Sequence, residues 1–527
     1  MGDSLKKEKT AFLAALVSGF YFTLLTAEHL LSAEALLRFG VSSAVLIVLF
    51  EHIIRLFPGI KIPGRQLRLP EKHFFLIAWA AFFICSLPAY LALFPGVFGY
   101  DSYKQMEFYT GLTVWDSHHP VLHTWLLGTI LSLGKKLTGG YNGGVAIYCF
   151  LQLLLLSGAF ALSLDHLKKK GAHPLLIIGA FLFLLFNPTI QLLSFNTTKD
   201  TLFGGVFLIF IIFWLRLLEG EKKAFIPFII SGTVSALLRN QGVYVLLVML
   251  FIAAAVSIDK KNRERYKKPC LGIIIMIAAV MLFKLLCSSV FHIPGGEIRE
   301  MLGVPMQQVA AVLKESEKED GSAVLSEEQK AVAYSLITPD MVAAYDPATA
   351  DPVKGGFDSA RFLNEKGKYI KNYIALGLQN HGIYTDAWIA MIKPYWDMRR
   401  WEHHGLMAMQ PDAEAWGIYE DSLIPAYGKL IKDMAVMGDY LWIPLLSWIL
   451  NPGIYPWLLS FVLIKALVYK KGRWFMETLP GLLYFLTLML GPMAMIRYPW
   501  PLLITMPLLF YTLTENGMRK ICLTANL

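Results

Sequence analysis

The chain has 527 residues, 56% of them hydrophobic and only 17% charged, with a mean hydropathy of +0.51 and a net charge of +9. A string of soluble domains is excluded, because apolar runs of about 20 residues recur from end to end, the length a helix needs to cross a bilayer. The positive charge does not point to nucleic acid: it sits in short clusters between apolar runs ("KKEK", "LDHLKKKG", "EGEKK", "DKKNRERYKK", "YKKGR"), the pattern of cytoplasmic loops.

Inside lipid every backbone amide needs a partner within its own segment, so the spans are predicted to be helices. In chain order they fall at 11–30, 33–56, 74–95, 144–165, 174–192, 201–218, 224–238, 240–257, 270–290, 453–470, 475–494 and 498–515. The first lacks a small-residue cleavage site and reads as a span rather than a removed signal peptide. Segments 121–137 and 441–450 are also apolar but strain the alternation of sides. The first of them reads as a helix lying along the outer surface or partly inserted. The predicted fold class is an all-α polytopic membrane protein of about 12–14 transmembrane helices. Starting with the N-terminus in the cytoplasm of a multi-pass cell-membrane protein, nearly all basic clusters fall on the inner side.

Three regions follow: an N-terminal transmembrane module, 1–290, with a first outer loop at 96–143; an extracytoplasmic region, 291–440; and C-terminal helices, 441–527. The middle region is acid-rich ("KESEKEDG", "LSEEQK"), and "MLGVPMQQVAAVLKE" within it has helical spacing. Cys85, Cys149, Cys270, Cys287 and Cys522 avoid that region and form no CxxC, so neither a disulfide framework nor a zinc site is indicated. P-loop, GxGxxG and HExxH signatures are absent.

The predicted topology brings polar residues from distant spans to one depth on the outer side. They are Tyr100, Asp101 and Lys104 in "GYDSYKQ", and Asp116, His118, His119 and His123 in "WDSHHPVLHTW". Further on are Asn196, Lys199 and Asp200 in "SFNTTKD", Arg239 and Asn240 in "LLRNQGVY", and Arg497 and Tyr498 in "IRYPWP". Ionisable groups at spans are costly unless paired or wetted, so each is a candidate for function. Each also has a plainer reading. Asp101 and Asp200 suit the first turn of a helix, Arg239 and Arg497 suit interfacial anchoring, and the adjacent His118 and His119 suit a polar turn. As a set they suit a phosphate carried on a lipid: Lys199, Arg239 and Arg497 to neutralise it, and a carboxylate to take a proton from an attacking hydroxyl. Tyr100, Lys104, Asp116, His118, His119 and Asn240 are candidates for positioning the substrate. Trp388, Tyr395, Trp396 and Trp401 would face sugar rings or form an interfacial aromatic belt.

The order "YDS", "SHHPVLHTWLLG", "TTKDTLFGGVFLIF" and "IRYPWPLL" resembles the GT-C superfamily of integral membrane glycosyltransferases, which includes protein mannosyltransferases and aminoarabinose transferases. The resemblance implies sugar transfer from a polyprenyl-phosphate donor to an extracytoplasmic glycan, lipid or protein. It also implies Asp101 as catalytic base, Asp200 as the second acidic position, and Arg497 with Tyr498 at the lipid phosphate. A divalent metal is a candidate cofactor, although the first outer loop carries no DxD. Two other functions share the layout. A polymerase or ligase of undecaprenyl-linked glycans would rely on Arg399, Arg400, His403 and His404. A lipid-linked-sugar flippase would place its ionisable residues near the midplane in two related halves, a symmetry this sequence does not display.

Overall fold

The structure, a computed structural model, describes residues 2–56, 70, 72–319, 321–398, 409–437 and 443–523. Among these, regular structure is helical, and extended backbone pairs only in isolated bridges. The chain is an all-α polytopic protein. Its helices up to residue 316 are α1 (Gly2–Thr26), α2 (Ala33–Leu56), α3 (Phe74–Ala92), α4 (Tyr100–Thr110), α5 (Val121–Thr138), α6 (Tyr141–Lys169) and α7 (Pro174–Phe186). They continue with α8 (Pro188–Ser194), α9 (Lys199–Leu218), α10 (Phe225–Leu238), α11 (Gly242–Val256), α12 (Lys260–Ser289) and α13 (Gly303–Ser316).

Among the described residues six helices are long and apolar enough to cross a membrane, namely α1, α2, α3, α6, α9 and α12, or seven if α7 and α8 form one bent span. The 12–14 spans expected from hydropathy exceed this number for two physical reasons. Helix α11 and helix Ile454–Val468 have only 15 residues each, about 22 Å at 1.5 Å per residue. Prolines also interrupt apolar runs. Segment 121–137 forms one helix, α5. Of segment 441–450, residues 441 and 442 lie outside the described residues, and Pro444–Leu450 is helical.

The chain divides into two compact units, one of residues 1–58, 296–397 and 486–495, the other of 59–295, 398–485 and 496–527. Region 291–440 therefore contributes to both units rather than forming one of its own. In the first unit α1 and α2 pack as a helical hairpin. Helix α13 sends Met306, Ala310 and Leu313 into a core with Leu336, Ile337, Val342 and Val353, the i, i+4, i+7 spacing of one buried face. Tyr395 and Trp396 are buried, and Trp388 Nε1 donates to the Met489 carbonyl at 2.8 Å. Tyr395 and Trp396 thus help pack this unit, and Trp388 is half-buried. Trp401 lies outside the described residues.

In the second unit α9 is apolar all round and almost wholly buried, as a central helix should be. It packs on α6 and α10. The break between α7 and α8 is written in "FNPT". Proline lacks an N–H and disfavours helical backbone in the residue before it. Asn187 is accordingly extended, and its Oδ1 accepts from Ile190 N–H at 3.1 Å to cap the new helix. The axis turns by 56° there. Helix α8 ends at Ser194, so the short loop 195–198 delivers the start of α9.

Candidate functional site

That loop pairs with the chain leading into α4. Val97 N–H donates to the Phe195 carbonyl at 2.8 Å, and Thr197 N–H donates back to Val97 at 3.0 Å. Gln152 of α6 fixes the same turn by donating to the carbonyls of Ser194 and Asn196 at 2.9 and 3.0 Å. Thr197 Oγ1 donates to Ser102 Oγ at 2.8 Å. Two helix N-termini are thereby held together, each with a carboxylate in its first turn: Asp101 on α4 and Asp200 on α9. Both carboxylates lie where the helix dipole favours negative charge.

Three cations close on this pair. Asp101 Oδ2 accepts from Lys199 Nζ and, at 2.9 Å, from Arg497 Nη1. Arg497 Nη1 also lies 3.4 Å from Asp200 Oδ2. Arg239, just past the end of α10, donates through Nη1 to Asp200 Oδ1 and to Tyr484 Oη, each at 2.7 Å. The Tyr484 hydroxyl donates to the Tyr498 carbonyl at 2.7 Å. The Tyr498 ring lies against both guanidinium groups, 5.0 Å from Arg239 and 5.2 Å from Arg497, within reach of cation–π attraction. Segment 497–503 reaches α9 because residue 204 is glycine: a Cβ there would lie 2.1 Å from Trp500 Cζ3.

Asp101, Asp200, Arg239 and Arg497 are all buried. Burial by itself would push the Asp101 carboxyl up. Arg497 and Lys199 outweigh it and hold the carboxyl well below the usual range. Burial opposes the Arg497 charge too, but Asp101 overcomes that and the group is raised. With Lys199, Arg239 and Arg497 charged against two carboxylates, the cluster carries 3 − 2 = +1. Such an excess, held off bulk water, favours an anion. Arg497 Nε, Asp200 Oδ2 and His119 Nδ1 are buried without hydrogen-bond partners, leaving capacity to bond a ligand.

His119 is buried beside this cluster, and burial pushes its imidazole down to about 3 against the pull of Asp101. It is neutral at physiological pH. The buried His123 makes a second chain: its Nδ1 pairs with Gln105 Oε1 and its Nε2 with the Tyr148 hydroxyl, each at 2.9 Å. An amide oxygen only accepts, so Nδ1 carries the proton and Nε2 accepts from Tyr148.

The sequence-predicted residues thus separate. Asp101, Lys199, Asp200, Arg239, Arg497 and Tyr498 converge, with His119 beside them. Lys104 turns to Glu107, 2.8 Å away, and Tyr100 is exposed; neither joins the ion cluster. Asp116 Oδ1 accepts from His118 N–H at 2.9 Å, which makes it a turn residue. Asn240 donates to the carbonyls of Ser117 and His118 at 3.0 and 3.1 Å. It braces the loop that carries His119, so its role here is support. Tyr484 and Gln152 escaped the sequence reading. The only signal either gave was one polar tip inside an apolar run, "LLYFLTL" and "CFLQLLLL". Arg399, Arg400, His403 and His404 lie outside the described residues.

Among the described residues no three His, Cys, Asp or Glu side chains are grouped to hold a metal ion. Both carboxylates of the cluster already accept from cations, so a divalent ion fits this set poorly. Comparison with curated proteins and with solved structures finds no match. The profile of a family of unknown function, DUF6020, matches residues 110–524, which takes in Lys199, Asp200, Arg239 and Arg497 and begins shortly after Asp101; the chain belongs to that family.

Proposed function

We propose that the chain is an integral membrane glycosyltransferase of GT-C type, moving a sugar from a polyprenyl-phosphate donor to an extracytoplasmic acceptor. In this reading the chain crosses the cell membrane about 12–14 times, with its N-terminus in the cytoplasm and the ion cluster at the outer face. One observation carries the proposal. Two carboxylates and three cations, drawn from α4, α9, the end of α10 and the segment before Trp500, meet in one buried cluster of net positive charge.

The roles follow from charge and reach. Arg497, Arg239 and Lys199 hold the donor phosphate, and Tyr498 flanks the two arginines. Asp101 takes the proton from the acceptor hydroxyl as its oxygen bonds to the sugar's anomeric carbon. The bond from that carbon to the phosphate oxygen breaks, and the electron pair leaves with the phosphate. A carboxylate gripped by two cations is a weak base. An arriving phosphate competes for those cations, and the proton affinity of Asp101 rises when it is needed. Asp200 orients Arg239.

The test is transfer of radiolabelled sugar from a polyprenyl-phosphate donor in membranes containing the protein. Asp101→Asn should reduce transfer to background with the protein still inserted. Full activity in that variant would sink the assignment.

A further inference from the structure

The second unit contains a cavity of about 630 Å³ that shares no lining residue with the ion cluster. It lies between the end of α3, the turn joining α5 to α6, the first turns of α6 and the segment around Tyr419. Its volume is in the range of ligand sites. We propose that it binds a neutral glycolipid, with an uncharged sugar at the rim and the first part of an alkyl chain along α6.

Charge is the first argument. No Asp, Glu, Lys, Arg or His is among the described residues that line it. A phosphate or ammonium headgroup would have to shed water there without an ionic partner, which is costly. A sugar hydroxyl both donates and accepts, and the rim supplies both partners. Asn142 Oδ1 accepts from Tyr419 N–H at 3.1 Å, which leaves Nδ2 to donate. The Thr138 hydroxyl donates to the Gly134 carbonyl at 2.8 Å and keeps lone pairs to accept. Tyr419 is 53% exposed and is the aromatic residue of the rim that can meet the C–H side of a sugar.

The second argument is the gradient along α6. Below Asn142 the wall is Ala146, Ile147 and Phe150. From residue 142 to 150 a helix descends about 12 Å, the length of a short alkyl chain. Helix α6 is itself long and apolar enough to cross a membrane, so this wall leads from the polar end toward the lipid interior. Polar and uncharged above, apolar below, the cavity matches an amphiphile with a neutral head. Binding does not depend on the transfer reading, because it is measured without turnover.

The test uses full-length protein in phosphatidylcholine nanodiscs and an octyl glucoside carrying a diazirine at the chain end. Photolysis should place the adduct within residues 146–150. Excess octyl glucoside should suppress it, and octylphosphocholine should not. Asn142→Asp keeps the acceptor for Tyr419 N–H but removes the donor. Gly140→Thr projects into open space from extended backbone, with nothing within 4 Å of the new Cβ, and threonine is a good residue at this helix start. Asn142→Asp should lower labelling about fivefold, the effect of one hydrogen bond, and Gly140→Thr should lower it by filling space at the rim. Absence of an adduct on 146–150, or labelling indifferent to the competitor's headgroup and to both variants, would overturn the proposal.

Discussion

Replacing Asp101 by asparagine tests whether the ion cluster is a coupled unit. The change keeps the shape of the side chain and deletes one charge. Lys199 and Arg497 remain buried beside it, and the cluster goes from 3 − 2 = +1 to 3 − 1 = +2. Removing one partner of a buried pair costs about 3–5 kcal/mol, since the charge left behind has neither water nor counter-ion. Asp101→Asn should therefore lower the unfolding midpoint strongly. Arg497→Met alone should also destabilise, because it leaves both carboxylates with one cation fewer. The double variant restores a balance of 2 − 1 = +1, and its loss should fall short of the sum of the single losses by roughly 0.5–3 kcal/mol. The assay is thermal unfolding of the four proteins in one detergent. Transfer activity is measured in parallel and should stay low in the double variant, because a general base contributes about 10²–10⁴-fold. Single losses that add within about 0.5 kcal/mol would refute the coupling. A stable Asp101→Asn single variant would refute the claim that burial makes the pairing matter.

Three further outcomes test other parts of the structure. Gly204→Ala puts a methyl group 2.1 Å from Trp500 Cζ3. It should cost about 1–3 kcal/mol and weaken activity by shifting Arg497, as read from unfolding midpoint and transfer rate together. Tyr484→Phe removes the hydroxyl joining Arg239 to the Tyr498 carbonyl. It should destabilise by about 1–3 kcal/mol through the buried groups left unmatched, seen as a lower unfolding midpoint. His119 has a folded pKa of about 3, below its ordinary 6.5, so the unfolded chain takes up the proton first. Its contribution is complete above about pH 6.5 and is lost as pH falls toward 3. His119→Asn should flatten the fall in stability over that window relative to wild type, by about 3 kcal/mol at pH 4.

Part of this site could be read from the sequence because the membrane makes polar residues conspicuous. Asp101, Asp200 and Arg497 each stand at the edge of an apolar run, and an ionisable group there needs a reason. The partner of each could not be read. Asp101 meets Arg497 across 396 positions, and that contact depends on the Val97–Asn196 bridge and on Gly204 beneath Trp500. Neither leaves a periodic trace. Lys104 shows the opposite failure. It looked like a member of the site, although Glu107, three residues on along a helix, was a ready local partner. Asn240 has a structural task that its sequence did not announce: its amide holds the loop at Ser117 and His118. The span number is not fixed by hydropathy alone, which counts apolar residues and is blind to helix length and to the 56° bend at Pro188.

The excess charge of the cluster yields a prediction that separates a phosphate site from a purely structural ion network. In the proposed mechanism Asp101 and the donor phosphate compete for Lys199 and Arg497. Asp101→Asn removes the competitor. Two unit charges about 4 Å apart interact by about 4 kcal/mol at an effective dielectric of 20. Even after much of this is lost to relaxation, polyprenyl phosphate without a sugar should bind the variant at least tenfold more tightly, about 1.4 kcal/mol. The same variant should be inactive. Arg497→Met should weaken binding of that lipid, and an uncharged polyprenol should bind wild type and variants alike. Equilibrium binding of the labelled lipids to protein in nanodiscs measures all of these. If Asp101→Asn leaves phosphate affinity unchanged while Arg497→Met lowers only the unfolding midpoint, the cluster holds helix ends together and the phosphate binds elsewhere. Tighter binding of the phosphate lipid by Asp101→Asn, weaker binding by Arg497→Met and no change for the uncharged polyprenol would together put the phosphate on the cations that Asp101 holds.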